Sequence, residues 1–112
     1  MEPETNPGAE ILEKPCNVKI TVLKRLKTGE ILEEYGKGAP AECPMFREGQ
    51  QFMVQELNMP QGFCSWAWAD IQRDITVLGL RGEFYWIKKK GMMISCCTDG
   101  LSPVVFKLER ME

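Results

Sequence analysis

The stretch from Trp66 to Leu80, WAWADIQRDITVLGL, decides the fold, because it is the longest segment with a helical repeat of apolar residues. Spacings of 3, 4 and 3 residues separate Trp68, Ile71, Ile75 and Leu78. On an α-helix this spacing gives a single apolar stripe that has to pack against another element. Ser65 is the predicted N-cap, since its hydroxyl can accept a hydrogen bond from the first turn. We therefore predict one long amphipathic helix over 66–80.

Segments with the period-two pattern of β-strands lie on both sides of this helix. The predicted strands are Asn17–Leu26, Gln51–Leu57, Met92–Cys97 and Pro103–Met111. A short helix is predicted over Glu30–Tyr35, and an Asp-Gly turn at 99–100 joins the last two strands. In the third strand we expect Ile94 and Cys96 to face the core, because adjacent residues of a strand point to opposite faces and Cys97 then faces away.

These elements predict an α+β fold, in which a small, mainly antiparallel sheet of about four strands packs on one long helix. The expected core consists of Val18, Ile20, Val22, Phe52, Val54, Ile71, Ile75, Leu78, Ile94, Val104, Phe106 and Leu108. Residues 1–15 contain four glutamates and one lysine and are predicted to form a flexible acidic N-terminal arm. Residues 16–112 are predicted to form a single domain.

The composition excludes several classes of function. The chain has 112 residues, of which 44% are hydrophobic and 27% charged, as is ordinary for one globular domain. A net charge of −2 argues against a strongly basic nucleic-acid binder. The chain has no histidine, which excludes Ser-His and Cys-His nucleophile pairs and histidine-ligated metals. Without a signal-like or membrane-spanning apolar run, we expect a cytoplasmic protein with no membrane partner.

The most informative reactive residues are five cysteines, namely Cys16, Cys43, Cys64, Cys96 and Cys97. An odd number without an export signal argues against a disulfide framework, so they are expected to be thiols, metal ligands or redox groups. Cys64 directly precedes the long helix, whose free N–H groups and dipole stabilise a thiolate. We expect it to be the most reactive thiol if any thiol is functional. The competing interpretation is a buried, inert Cys64 packed under the neighbouring tryptophans.

A first hypothesis of function rests on these thiols. Cys43, Cys64 and one of Cys96 or Cys97 are expected to converge, either to hold a soft metal or an iron–sulfur cluster or to perform thiol redox chemistry. The sequence assigns no role to Cys16. In Cys96-Cys97 we favour one core thiol and one surface thiol over a vicinal disulfide, because such a bond requires strained peptide geometry.

Two other hypotheses come from the aromatic residues. Three tryptophans and seven methionines leave apolar surface to cover, which favours a non-catalytic interaction module that forms a homo-oligomer. Alternatively, a small molecule binds in a tryptophan-lined pocket, whose candidate residues are Trp66, Trp68, Asp70 and Trp86. Nucleic acid is not the expected partner, because three lysines at 88–90 on a mildly acidic chain are more typical of a soluble turn.

Three blocks of the sequence resemble a family of short, uncharacterised bacterial and archaeal proteins. The blocks are Cys43-Pro44-x-Phe46-x-x-Gly49-x-x-Phe52, Gly62-Phe63-Cys64-x-Trp66-Ala67-Trp68-x-Asp70-Ile71 and Cys96-Cys97-x-Asp99-Gly100-x-x-Pro103-Val104-Val105-Phe106-Lys107-x-Glu109-Arg110. The resemblance implies a small stand-alone cytosolic protein, and it implies no activity, cofactor or catalytic residue. All the cysteines except Cys16 lie inside these blocks.

Overall fold

A computed structural model describes residues 14–112, so all but the last two residues of the predicted arm lie outside the described residues. The elements are β1 (Asn17–Arg25), α1 (Glu30–Tyr35), β2 (Gln51–Val54), α2 (Ser65–Gly79), β3 (Met92–Cys96) and β4 (Val104–Met111). The long helix and the short helix are both present where the apolar spacing predicts them. No helix in residues 14–112 is long and apolar enough to cross a membrane.

The four strands form one antiparallel sheet in the order β2-β1-β4-β3. β1 and β4 lie at its centre, and their pairing runs from Asn17 opposite Met111 to Arg25 opposite Val104. The register shifts after Val22, where one extra residue in β1 makes a bulge. α2 packs against β1, β3 and β4. The predicted α+β architecture, with a mainly antiparallel sheet on one long helix, is confirmed.

The hydrophobic core lies between α2 and one face of the sheet. Ile71, Ile75 and Leu78 on the helix stripe are fully buried, as are the inward residues of β1 and β4. Burying one such aliphatic side chain stabilises the fold by about 1.5–3 kcal/mol. Of the predicted core residues, Phe52 is only half-buried and Ile94 is 40% exposed, while the others are buried.

The predicted orientation of β3 is wrong by one residue. Met93 and Cys97 face the core, whereas Ile94 and Cys96 are exposed on the opposite side. The reason lies in the pairing with β4, because residues directly opposite each other in a sheet share a face. Met93 lies opposite Leu108, which is buried, so β4 sets the orientation of β3. The β3 sequence has apolar residues in both phases of the alternation and could not decide between them.

β2 is shorter than the predicted strand, because a tight turn follows Val54. Glu56 and Leu57 have φ angles of 52° and 63°, and the Asn58 N–H donates a hydrogen bond to the Gln55 carbonyl at 3.0 Å. Such left-handed conformations are strained for residues with a side chain. The Leu57 side chain packs against the core, which offsets this strain. A Cβ at Gly79 would lie 2.6 Å from Leu57 Cδ2, so a larger residue at this position would have to displace the Leu57 side chain.

Arg110, near the end of β4, ties the sheet to the chain that leaves α2. Its side chain is only 8% exposed, and Nη1 donates to the Gly82 carbonyl at 2.8 Å and to the Leu78 carbonyl at 3.3 Å. Nη2 pairs with the Glu83 carboxylate. The hydrogen bond from Arg110, followed by one from the Gly91 N–H, lowers the pKa of Glu83 below its ordinary value of 4.5. The stabilisation from this carboxylate is therefore complete above pH 4.5 and is lost as the pH falls through the lower pKa of the folded state.

Candidate functional site

Three segments far apart in sequence enclose a cavity of about 370 Å³ that three cysteines line, and we call it the thiol pocket. Its cysteines are Cys43, Cys64 and Cys97. The segments are the loop 39–46, the start of α2, and the turn 97–102. Most of the remaining wall is apolar, and the side chains of Asp99 and Ser102 are its polar groups. Of the four cysteines that the sequence singles out, Cys43, Cys64 and Cys97 line this cavity and Cys96 does not.

The loop that carries Cys43 is anchored from two sides. Phe46 is 2% exposed, and its ring lies 5.1 Å from the ring of Phe63 and 5.2 Å from that of Phe106. Arg25, at the end of β1, donates from Nη1 to the Cys43 carbonyl at 3.3 Å and forms an ion pair with Glu42. The first anchor is a large apolar contact and the second is polar. Together they fix the half-buried Cys43 at the pocket wall.

Cys64 is the N-cap of α2, and the predicted N-cap Ser65 is instead the first helical residue. Cys64 has an extended backbone, with φ −75° and ψ 121°, and its carbonyl accepts the first helical hydrogen bond from the Trp68 N–H at 2.9 Å. Among the residues from 14 onward, no side chain caps this end of the helix. The first N–H groups of α2 therefore have no intrahelical partner, and they lie beside the half-buried Cys64 thiol.

Cys97 is the buried thiol of the pocket, at 5% exposure. Its N–H donates to the Val104 carbonyl at 3.0 Å, and its Sγ accepts a hydrogen bond from the Val104 N–H at 3.2 Å. Asp70 on α2 holds the next residue, since its carboxylate accepts hydrogen bonds from the Thr98 N–H and hydroxyl. Cys97 is thus fixed by contacts on both sides, and its sulfur already serves as an acceptor.

The other two cysteines lie outside the thiol pocket. Cys96 is exposed and points to the side of the sheet away from the core, so the prediction that it faces inward is wrong. Cys16 is half-buried just before β1, and its N–H donates to the Gly79 carbonyl at 2.8 Å. All five cysteines are free thiols.

Two of the four residues proposed for a tryptophan-lined pocket, Trp66 and Asp70, line a common cavity, whereas Trp68 and Trp86 are not among the residues that line it. Trp66 is 68% exposed and lines both the thiol pocket and a cavity of about 310 Å³ beside it, where Asp70 also lies. Trp68 is half-buried, with its ring 6.1 Å from that of Phe63. Trp86 packs on Phe84 and Tyr85 in the segment between α2 and β3. Trp66 and Trp68 are close in sequence, but residues two apart on a helix point to different faces of it.

Metal binding has no support from the described residues. Among residues 14–112, no group of three or more Cys, Asp or Glu side chains is arranged to hold a metal ion. The thiol pocket therefore brings three cysteines to one cavity without forming a ligand cluster. A larger cavity of about 570 Å³ lies at the turn after β2, but its lining consists mainly of amide and methionine side chains and includes no cysteine.

Sequence reasoning missed several residues of the thiol pocket. Among them are Ala39, Pro40, Met45, Leu101 and Ser102. The signal that could have found part of this set is the position of Cys43 and Cys97 next to turn residues. Those turns bring loop backbone to the pocket, whereas the hydrophobic periods report only helices and strands.

Comparison with known proteins finds no matching family model, no similar curated protein and no similar solved structure. The resemblance of the three sequence blocks to short bacterial and archaeal proteins therefore stays a prediction.

Proposed function

We propose that the protein binds a small, mainly apolar molecule in the thiol pocket and that its function depends on the pocket cysteines. The observation that carries this proposal is that cysteines from a loop, a helix start and a strand end line one cavity. The cavity volume of about 370 Å³ lies within the range usual for small-molecule sites. Such sites combine an apolar wall with a few polar groups, and the thiol pocket has that composition.

The three thiols have different roles in this proposal. Cys64 is the reactive thiol, because it is half-buried at the pocket wall and is the N-cap residue of α2, whose first turn has no side-chain cap among residues 14–112. Cys43 is half-buried on the facing loop and contacts the ligand as a soft, polarisable group. Cys97 positions the turn 97–102, since it is buried and its sulfur accepts the Val104 N–H.

Thiol chemistry is favoured over a metal centre. A metal site needs several ligands within bonding distance of one point, and no such cluster occurs among the described residues. A thiol that contacts an apolar ligand needs only one exposed sulfur at the wall of a binding site. The five free thiols fit a reducing compartment such as the cytoplasm, where the sequence leads us to expect this protein.

Binding of the neutral, apolar dye Nile red tests the proposal. Trp66→Ala should weaken dye binding by about 5- to 10-fold, because the indole ring forms part of the pocket wall. Trp86→Ala is the matched control, since Trp86 has a similar exposure, 59% against 68%, but does not line the thiol pocket. Its dissociation constant should stay within 2-fold of the native one. Equal effects of the two substitutions, or none from Trp66→Ala, would contradict binding at the thiol pocket.

A further inference from the structure

Among residues 14–112, no strand pairs with the outer edge of β3. β3 lies at one end of the sheet, next to β4. In the antiparallel ladder, alternate residues direct both backbone groups to the neighbouring strand. Two hydrogen bonds show which residues point toward β4. The Cys97 N–H donates to the Val104 carbonyl, and the Arg110 N–H donates to the Gly91 carbonyl. Met93 and Ser95 are in the same phase and therefore bond to β4.

Three residues of β3 consequently direct their backbone groups away from the sheet. They are Met92, Ile94 and Cys96. Their backbone groups form no hydrogen bond outside the sheet within residues 14–112, and the phase of the β3–β4 pairing directs them away from β4. The side chains of Ile94 and Cys96 are exposed, so solvent reaches this edge. The strand therefore presents three free donors and three free acceptors in regular alternation.

The chemistry of this edge does not protect it from pairing. Natural proteins commonly block an open edge with lysine, proline or a bulge, and the β3 sequence MMISC contains none of these. The opposite edge of the sheet is less available. β2 has only four residues, and at its end the Gln55 carbonyl already accepts the Asn58 N–H. β3 is thus the edge that another strand can extend.

We propose that two copies of this chain associate through β3, antiparallel, about a two-fold axis at Ile94. Ile94 then lies opposite Ile94 of the partner subunit, and Met92 lies opposite Cys96 of the partner subunit. All these positions direct their N–H and C=O groups outward, so the pairing forms six backbone hydrogen bonds and one continuous eight-stranded sheet. A shift of the axis to Ser95 would require the Thr98 N–H, which already donates to Asp70.

The side chains on this edge are compatible with self-association. Met92, Ile94 and Cys96 all face away from α2, and none of them is charged. The two-fold axis brings the three side chains of each copy into one apolar strip, with no like charges opposite each other. In the dimer this strip covers Ile94, which is 40% exposed in a single chain. Ile94 is the predicted core residue that the fold of a single chain leaves exposed.

Sedimentation velocity over a concentration series of the full chain tests the proposal. We expect a concentration-dependent dimer for the native protein and at least a 100-fold weaker association for Ile94→Lys, because two lysines would face each other across the axis. Met53→Lys is the matched control, since Met53 is 39% exposed on the opposite edge of the same sheet. Its dimer should be unchanged. A monomer at every concentration up to about 1 mM, or a dimer that Ile94→Lys leaves intact, would overturn the proposal.

Amide hydrogen exchange of the native protein gives a second readout that does not depend on any variant. In the dimer the amides of Met92, Ile94 and Cys96 should exchange at least 10-fold more slowly than after dilution to the monomer. The amides of Met93 and Ser95 should be protected in both states, because they bond to β4. Fast exchange at Ile94 in a confirmed dimer would place the interface elsewhere and refute the edge pairing.

Discussion

Phe46→Ala should lower the free energy of unfolding by about 3–5 kcal/mol, the largest effect that we expect from a single substitution. Phe46 is 2% exposed although it lies in a loop, and its ring is surrounded by those of Phe52, Phe63 and Phe106 at 5.1–5.9 Å. Truncation removes this apolar burial and leaves a cavity between the sheet and the start of α2. Because the same ring anchors the Cys43 loop, the thiol pocket should also lose Nile red binding.

Chemical denaturation of two further variants calibrates this result. Met45→Ala, one residue away but 58% exposed, should change the free energy of unfolding by less than about 1 kcal/mol. Phe46→Leu should cost about 1–2 kcal/mol, which keeps the comparison measurable if the alanine variant does not fold. A loss below about 1.5 kcal/mol for Phe46→Ala would show that the loop is not anchored by this ring.

Arg110→Met should lower the free energy of unfolding by about 2–3 kcal/mol. The methionine keeps much of the buried length of the side chain, but the carbonyls of Leu78 and Gly82 lose their donor. These carbonyls lie at the end of α2, so the loss separates the helix end from β4. Glu83 also loses the partner that lowers its pKa, and the decrease in stability as the pH falls below 4.5 should become shallower.

Denaturation curves at neutral and acidic pH measure both effects of Arg110→Met. Lys24→Met is the control, because Lys24 is exposed on β1 and its substitution also removes one positive charge. It should change stability by less than about 0.5 kcal/mol. Equal stability losses for the two variants would mean that Arg110 acts only through its charge and not through the carbonyls that it binds.

The sequence predicts those helices and strands whose apolar residues all fall on one face. In α2 the stripe through Ile71, Ile75 and Leu78 allows one buried face, and β4 alternates through Val104, Phe106 and Leu108 in the same unambiguous way. β3 lacks such a pattern, because Met92 and Ile94 are apolar in one phase of the alternation and Met93 is apolar in the other. Its orientation is set by pairing with β4, and that is a tertiary contact which local periodicity does not contain.

The residues of the candidate site also fall into two groups, those that a local sequence pattern predicts and those that tertiary contacts place. Cys64 could be located from the sequence, since it immediately precedes a strongly periodic helix. Cys97 rather than Cys96 lies in the thiol pocket with Cys64, and this choice depends on which face of the sheet each residue of β3 occupies. The position of Cys43 depends on how the Phe46 ring packs in the core. Neither is encoded by local spacing. The placement of the tryptophans likewise depends on tertiary contacts, because Trp68 packs against the core and the Trp86 ring packs on Phe84.

The central claim, that the cysteines of the thiol pocket belong to one binding site, is tested most directly by their alkylation in the native protein. Rates of reaction with N-ethylmaleimide, measured by mass spectrometry of the labelled peptides with and without saturating Nile red, compare Cys43 and Cys64 with the exposed Cys96. We expect Cys64 to react faster than Cys43 and the buried Cys97, and the dye to slow Cys43 and Cys64 by at least about 10-fold while Cys96 is unaffected. Equal rates with and without bound dye, or a Cys64 that reacts only after unfolding, would contradict the account.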